Sequence, residues 1–160
     1  MKRFFVLFAL ILLFSVAFSF GLSAFGGTEL GGRSRAFVGV RVGSVESGIS
    51  FAPEICYPLS SFSDINSIDT SNIQFLELDP YIFLGIPLGN FLLYAGVAPI
   101  VILDTTNFGI ALYSTEMFHA KVGAKIGGGF FLYFEGLTTL TTSFATLGVF
   151  AVLLGAGISF

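Results

Sequence analysis

The sequence has 160 residues, of which 54% are hydrophobic and 11% charged, and its formal net charge is −3. A chain of this length forms one domain, and so apolar a composition excludes an ordinary soluble protein. The 21 Phe residues exclude a solvated, disordered chain. The absence of a basic patch argues against nucleic acid as a partner. These features indicate a membrane protein.

The first 24 residues are typical of a secretory signal peptide. Lys2 and Arg3 precede a long apolar stretch, and small residues follow it. We expect cleavage after Gly21 or Ala24, and the alternative is an uncleaved anchor helix. This prediction divides the chain into a signal peptide (1–24) and a mature domain (25–160).

Helices and closed β-barrels both satisfy the backbone hydrogen bonds of a chain within a bilayer. Two windows, 81–103 and 130–160, are long and apolar enough for helices. The first contains Pro87 and Pro99, which disfavour a helix. The second is rich in β-branched and aromatic residues, which favour strands. A small helical inner-membrane protein is the alternative fold.

Period-two alternation favours the barrel. Between Phe118 and Ile126, apolar residues alternate with His119, Lys121 and Lys125. The segments 35–43 and 48–58 alternate in the same way. One face of each segment is therefore apolar enough for lipid, and the other is suited to an interior.

We predict an all-β fold, a single closed antiparallel transmembrane β-barrel of eight strands after an N-terminal signal peptide. Seven strands follow from the pattern: 35–43, 48–58, 73–86, 91–103, 117–126, 130–141 and 147–160. Bacterial barrels have an even number of strands, so we expect the eighth within 25–32, where the pattern is weak.

Three short turns set the predicted strand registers: Gly127–Gly129, Leu88–Gly89 and Val45–Glu46. The opposed pairs that follow are Lys121–Glu135, Phe83–Tyr94 and Arg41–Ser50. In each pair, both members belong to the inward face of their strand. The same alignment assigns the inward face of strand 91–103 to Leu92, Tyr94, Gly96 and Ala98.

The connections at the other end are longer and include 60–72 and 104–115. Short turns at one end and longer loops at the other are typical of outer-membrane barrels. The acidic residues in or beside these loops could bind divalent cations or protein partners; they are Asp64, Asp69, Asp104 and Glu116.

One face of the last predicted strand is apolar and ends on an aromatic residue; it consists of Phe150, Val152, Leu154, Ala156, Ile158 and Phe160. With this pattern, residues 25–160 resemble the small bacterial eight-stranded outer-membrane β-barrel proteins. In that family this pattern is the signal read by the barrel-assembly machinery. The resemblance implies export, assembly into the bacterial outer membrane and contact with its lipid.

The lumen of an eight-stranded barrel is narrow enough to be filled by side chains. We expect a filled interior whose charges are paired, with Lys121 and Glu135 as the first such pair. The predicted interior charge network is Arg41, Glu54, Glu77, Asp79, His119, Lys121, Lys125 and Glu135.

We expect no cofactor and no enzymatic activity. Lysines beside His119 would repel a metal ion, and Glu77 and Asp79 are interpreted as partners of interior cations. The loops contain no histidine, so they can form no catalytic triad. The single cysteine, Cys56, allows neither an intramolecular disulfide nor a cysteine-rich metal site.

Two functions remain open. The favoured one is a structural or interaction barrel with a side-chain-filled lumen that displays loops 60–72 and 104–115. The alternative is the binding or passage of small hydrophobic molecules. A cavity lined by Leu92, Tyr94, Leu153 and similar residues would favour the alternative, whereas a fully packed interior would eliminate it.

Overall fold

The computed structural model describes residues 20–30, 35–59, 75–107 and 109–160. The strands in these ranges are β1 (Gly21–Leu30), β2 (Ala36–Val42), β3 (Gly48–Leu59), β4 (Phe75–Leu88), β5 (Phe91–Pro99), β6 (Val101–Asp104), β7 (Gly109–Leu112), β8 (Met117–Gly127), β9 (Phe130–Thr141) and β10 (Thr146–Ser159). Within these ranges, no helix is long and apolar enough to cross a membrane.

The strands close into an eight-stranded antiparallel barrel. Their order is β3-β2-β1-β10-β9-β8-β5-β4, and β3 pairs with β4 to complete the circle. Only Ile100 separates β5 from β6, and both pair with β4, so they are two halves of one barrel strand. Strand β7 pairs with β6 and leads into β8, so it extends the barrel as a hairpin. Part of the predicted loop 104–115 is therefore strand.

The first strand lies earlier than predicted. Strand β1 begins at Gly21, whereas the weak sequence pattern placed it within 25–32. Its first four residues pair with β10, from Gly21 opposite Ser159 to Ala24 opposite Ala156. Residues 1–19 of the predicted signal peptide lie outside the described residues. Cleavage after Ala24 would remove the paired start of β1.

The two faces of the strands are as predicted. Along β5, exposed and buried residues alternate without a break, with Leu92, Tyr94 and Ala98 inside. Large apolar side chains cover the outside, including Leu84 (56% exposed) and Leu154 (66% exposed). Because lipid tails are the solvent in which such a surface is stable, the face assignment agrees with a transmembrane barrel.

The three predicted registers are wrong, each by an even number of residues. The residues opposite Arg41, Phe83 and Lys121 are Glu54, Gly96 and Leu137. The β4–β5 turn is Gly89–Asn90, one residue later than predicted, and the β2–β3 connection extends over residues 43–47. A shift by an even number of residues leaves every side chain on its original face, so the predicted faces are correct although the registers are wrong.

Glycines opposite aromatic rings explain the β4–β5 register and recur elsewhere in the barrel. A Cβ atom at Gly96 would lie 2.2 Å from the Phe83 ring, and one at Gly155 would lie 2.2 Å from the Tyr133 ring. In each case the glycine is directly opposite the aromatic residue within the narrow lumen. The rings therefore lie flat over backbone that carries no side chain.

Candidate functional site in the barrel lumen

A buried ion network crosses the middle of the lumen. The guanidinium of Arg41 binds the carboxylates of both Glu54 and Glu135, and Nε donates to Glu54 Oε1 at 2.8 Å. Lys121 binds Glu54 and lies 3.4 Å from Glu135 Oε2. The Tyr94 hydroxyl donates to Glu135 Oε1 at 2.7 Å. The predicted Lys121–Glu135 ion pair is thus present, although the two residues are not directly opposite.

Aromatic rings surround the two cations of this network. The Arg41 guanidinium lies 5.0 Å from the Phe83 ring centre and 4.5 Å from that of Tyr133. Lys121 Nζ lies 4.5 Å from the centre of the Tyr81 ring. Cations over ring faces are stabilised by the ring quadrupole. The network and its rings together close the barrel at mid-height.

The turn end is closed by a second group of contacts, which sequence analysis did not anticipate. The 43–47 connection folds inward, so that Ser44 and Val45 are buried. Lys125 Nζ donates to Ser44 Oγ at 2.8 Å and to the Val45 carbonyl at 2.7 Å, and it pairs with Glu46 at 3.1 Å. The inward position of Lys125 beside a turn was the only available signal for a polar plug here.

The described residues do not fill the loop end of the lumen. It contains a cavity of about 570 Å³ above the ion network. The prediction of a side-chain-filled lumen is therefore correct for the middle and wrong for the loop end. At the turn end, a smaller recess of about 270 Å³ lies among the turns, with Leu92 and Lys125 in its wall. Residues that contribute apolar surface to the cavity wall include Phe37, Cys56, Ile100, Leu137, Val149 and Leu153.

An acidic cluster with a histidine forms one side of this cavity. His119 Nδ1 lies 2.9 Å from Asp79 Oδ2 and 3.6 Å from Glu77 Oε1. Asp79 is 1% exposed, and its Oδ1 has no hydrogen-bond partner among the described residues. The alternation pattern groups His119 with Lys121 and Lys125. The structure instead joins it to carboxylates of β4, because its neighbour on β5 is the small Ala98.

The rim of the cavity carries a separate ion pair. Arg35 Nη2 lies 3.2 Å from Glu29 Oε1, and the Arg35 side chain is 45% exposed. Both residues line the cavity. Because Arg35 lines the cavity and is also partly exposed, this pair lies at the mouth of the cavity. Exposed pairs of this kind contribute little to stability.

Asp104 caps the β6–β7 hairpin. Its carboxylate accepts hydrogen bonds from the Asn107 side chain at 3.0 Å and from the Thr106 backbone N–H at 2.9 Å. These bonds, the first above all, lower the pKa of Asp104. The carboxylate is therefore engaged in its own turn. Asp64 and Asp69, the other acidic residues of the predicted surface loops, lie outside the described residues.

Comparison with known proteins identifies the fold and not a family. No family model matches the chain, and no curated protein matches it. The structure is similar to a de novo designed transmembrane β-barrel, with a TM-score of 0.52 and 12% identity over 88% of this chain and 95% of that chain.

Two natural proteins are also structurally similar. The outer membrane enzyme PagL gives a TM-score of 0.45 at 12% identity, over 88% of this chain and 99% of that chain. Neisserial surface protein A (NspA) gives a TM-score of 0.43 at 8% identity, over 88% and 95%. The similarity to the designed barrel concerns the fold alone, and with the closed strand order it shows that the chain has the fold of a transmembrane β-barrel.

Proposed function

We propose that this barrel binds a small, largely apolar molecule in the loop-end cavity. The observation that carries the proposal is a cavity of about 570 Å³ that lies above a closed plug. Ligand pockets have volumes of about 300–1,000 Å³ and are mostly apolar with a few polar groups. This cavity has that character, since Phe37, Leu137 and Leu153 share its wall with Asp79 and His119.

The polar wall suggests what kind of molecule fits. Carboxylates of Glu77 and Asp79 accept hydrogen bonds, so the polar end of the molecule should donate them, as an amine or a hydroxyl does. The apolar remainder would lie against Leu137 and Leu153. Passage through the barrel is not part of the proposal, because the network around Arg41 fills the lumen below the cavity.

The cellular setting is also a proposal. We infer that the chain is exported with cleavage of its signal peptide, that the barrel-assembly machinery recognises its last strand, and that the cavity opens toward the cell exterior. The loop-display function stays a prediction, as does the absence of enzymatic activity. The β6–β7 hairpin supports loop display, since it gives the loop end a structured projection.

A fluorescent ligand provides the test. The refolded protein in nanodiscs is titrated with N-phenyl-1-naphthylamine, an apolar amine, in the presence of EDTA. We expect saturable binding above the linear partitioning seen with empty nanodiscs. Ala151→Phe should abolish the saturable part, because Ala151 lines the cavity and a phenyl ring there would occupy it.

The matched control lies on the same strand. Ala156→Phe makes the same change on the outer face of β10, where Ala156 alternates with inward Gly155 and Gly157. Binding should be retained in this variant. Linear partitioning alone in the wild-type protein, or equal binding by Ala151→Phe and Ala156→Phe, would contradict the proposal.

A further inference from the structure

The acidic cluster on the cavity wall has the composition of a metal site. Ligand atoms of Glu77, Asp79 and His119 all lie within 4.8 Å of one another. Bonds from zinc to nitrogen or oxygen ligands are about 2.0–2.2 Å long, so ligands that share one ion lie about 3.0–3.5 Å apart. The observed 2.9 Å and 3.6 Å separations from His119 Nδ1 come close to this range.

The charges of the lumen leave this cluster unbalanced. Below it, Arg41, Lys121 and Lys125 are in contact with the carboxylates of Glu46, Glu54 and Glu135, three positive groups with three negative ones. Above them, Glu77 and Asp79 form ion pairs only with His119 among the described residues. Two partly or fully buried carboxylates beside one imidazole carry excess negative charge, which either a proton or a bound cation can neutralise.

An unpartnered atom points to the same conclusion. Asp79 is nearly fully buried, lines the cavity and leaves Oδ1 without a hydrogen-bond partner in the described structure. Burial of such an atom is costly unless a ligand or an ion satisfies it. The lysines that would repel a cation are bound to other carboxylates.

We propose that Glu77, Asp79 and His119 bind a divalent transition-metal ion at the wall of the cavity. One imidazole and two carboxylates suit Zn²⁺ and related first-row ions. With a neutral imidazole, the two negative charges of the carboxylates balance the ion. The remaining coordination positions face the cavity. This site does not depend on the proposed apolar ligand, since its protein ligands and its charge stand without one.

The chain provides its own reporter, because His119 is its only histidine. The tag-free protein in nanodiscs, isotope-labelled at histidine, is titrated with ZnCl₂ after EDTA treatment and followed by NMR. We expect the single imidazole signal to shift and to saturate at one equivalent. A signal that does not move up to millimolar Zn²⁺ would overturn the proposal, and this result requires no variant.

Substitutions then test the other two ligands. Glu77→Gln and Asp79→Asn keep the shape of each side chain, and each should weaken Zn²⁺ binding at least about tenfold at the His119 signal. The control is Glu29→Gln, which removes a carboxylate that lines the same cavity but pairs with Arg35. Its affinity should equal that of the wild type. A heat-shift gel verifies that each variant is folded.

Equal affinities in all four proteins would show that the carboxylates are not ligands and would overturn the site. Failure here is distinguishable from failure of the proposed ligand. The naphthylamine titration is performed in EDTA and depends on cavity volume, whereas the zinc titration contains no organic ligand. Either result can therefore be positive while the other is negative.

Discussion

Replacement of Arg41 by methionine tests whether the central network is held by charge balance. Arg41 is 2% exposed and contacts two carboxylates, Glu54 and Glu135, whose side chains are fully buried. Without the guanidinium, Lys121 alone would face both carboxylates. Removal of one member of a buried ion pair costs about 3–5 kcal/mol, because a charge is left uncompensated. We expect the free energy of unfolding of Arg41→Met to fall by that amount.

A second substitution separates charge from packing. In Arg41→Met/Glu135→Gln, Lys121 faces only one carboxylate, that of Glu54, so the charges are balanced. The new amide oxygen can still accept the hydrogen bond of Tyr94. We expect the double variant to be more stable than Arg41→Met by at least about 1 kcal/mol. Packing lost with the arginine would not be recovered in this way.

The assay is urea unfolding of the protein in lipid vesicles. The chain has no Trp, so unfolding is followed by far-UV circular dichroism and by the heat-shift gel. The control is Arg35→Met at the rim of the cavity, which removes an ion pair whose arginine is 45% exposed and should cost less than about 1 kcal/mol. Equal losses at Arg41 and Arg35, or a double variant no more stable than Arg41→Met, would refute the charge argument.

Two further predictions concern the packing of the lumen. Gly96→Val should destabilise the barrel by about 1–3 kcal/mol, because the new side chain would collide with the Phe83 ring. The control, Ala95→Val on the lipid face, should have little effect. Equal urea midpoints for the two variants would contradict the role of the glycine. Tyr81→Phe should not lower the urea midpoint, because the buried Tyr81 hydroxyl has no partner among the described residues. Tyr94→Phe should lower the midpoint, because the hydrogen bond from Tyr94 to the buried Glu135 carboxylate is lost. The reverse order of the two midpoints would contradict this assignment.

The faces of the strands were predictable because period-two alternation is visible residue by residue. Arg41, Glu54 and Lys121 had to lie inside, since an arginine or lysine against mid-bilayer lipid costs about 2–4 kcal/mol. This constraint acts on every residue of a strand. It leaves any shift by an even number of residues undetected, and the three predicted registers were shifted by two or four residues.

A size rule would have identified the β4–β5 register. The prediction placed Phe83 opposite Tyr94, two large rings in a narrow lumen. In the structure, each of them lies opposite a glycine, Phe83 opposite Gly96 and Tyr94 opposite Gly85. Alignment of inward aromatic residues with inward glycines is readable in the sequence, and it discriminates between registers that differ by two.

The cluster on the cavity wall was only half predictable. The alternation placed Glu77, Asp79 and His119 inside, but it could not show that they meet. Their contact depends on β5, the strand that lies between β8 and β4. The β5 residue opposite His119 is Ala98, whose side chain is too small to keep His119 away from the carboxylates of β4. The long side chains of Lys121 and Glu135, by contrast, reach each other in spite of the register error.

The distribution of side-chain size along the lumen distinguishes binding from passage. Arg41, Tyr81 and Phe83 are among the largest fully buried side chains and fill the middle, whereas the small Ala151 leaves space at the loop end. A lumen that is open at one end and closed at the other can hold a molecule but cannot conduct. We therefore expect no steady ion conductance from the wild-type protein in planar bilayers at moderate voltage. A stable open channel that is absent from bilayers without protein would mean that the ion network opens under these conditions. The binding proposal depends on a closed plug and would then have to be abandoned.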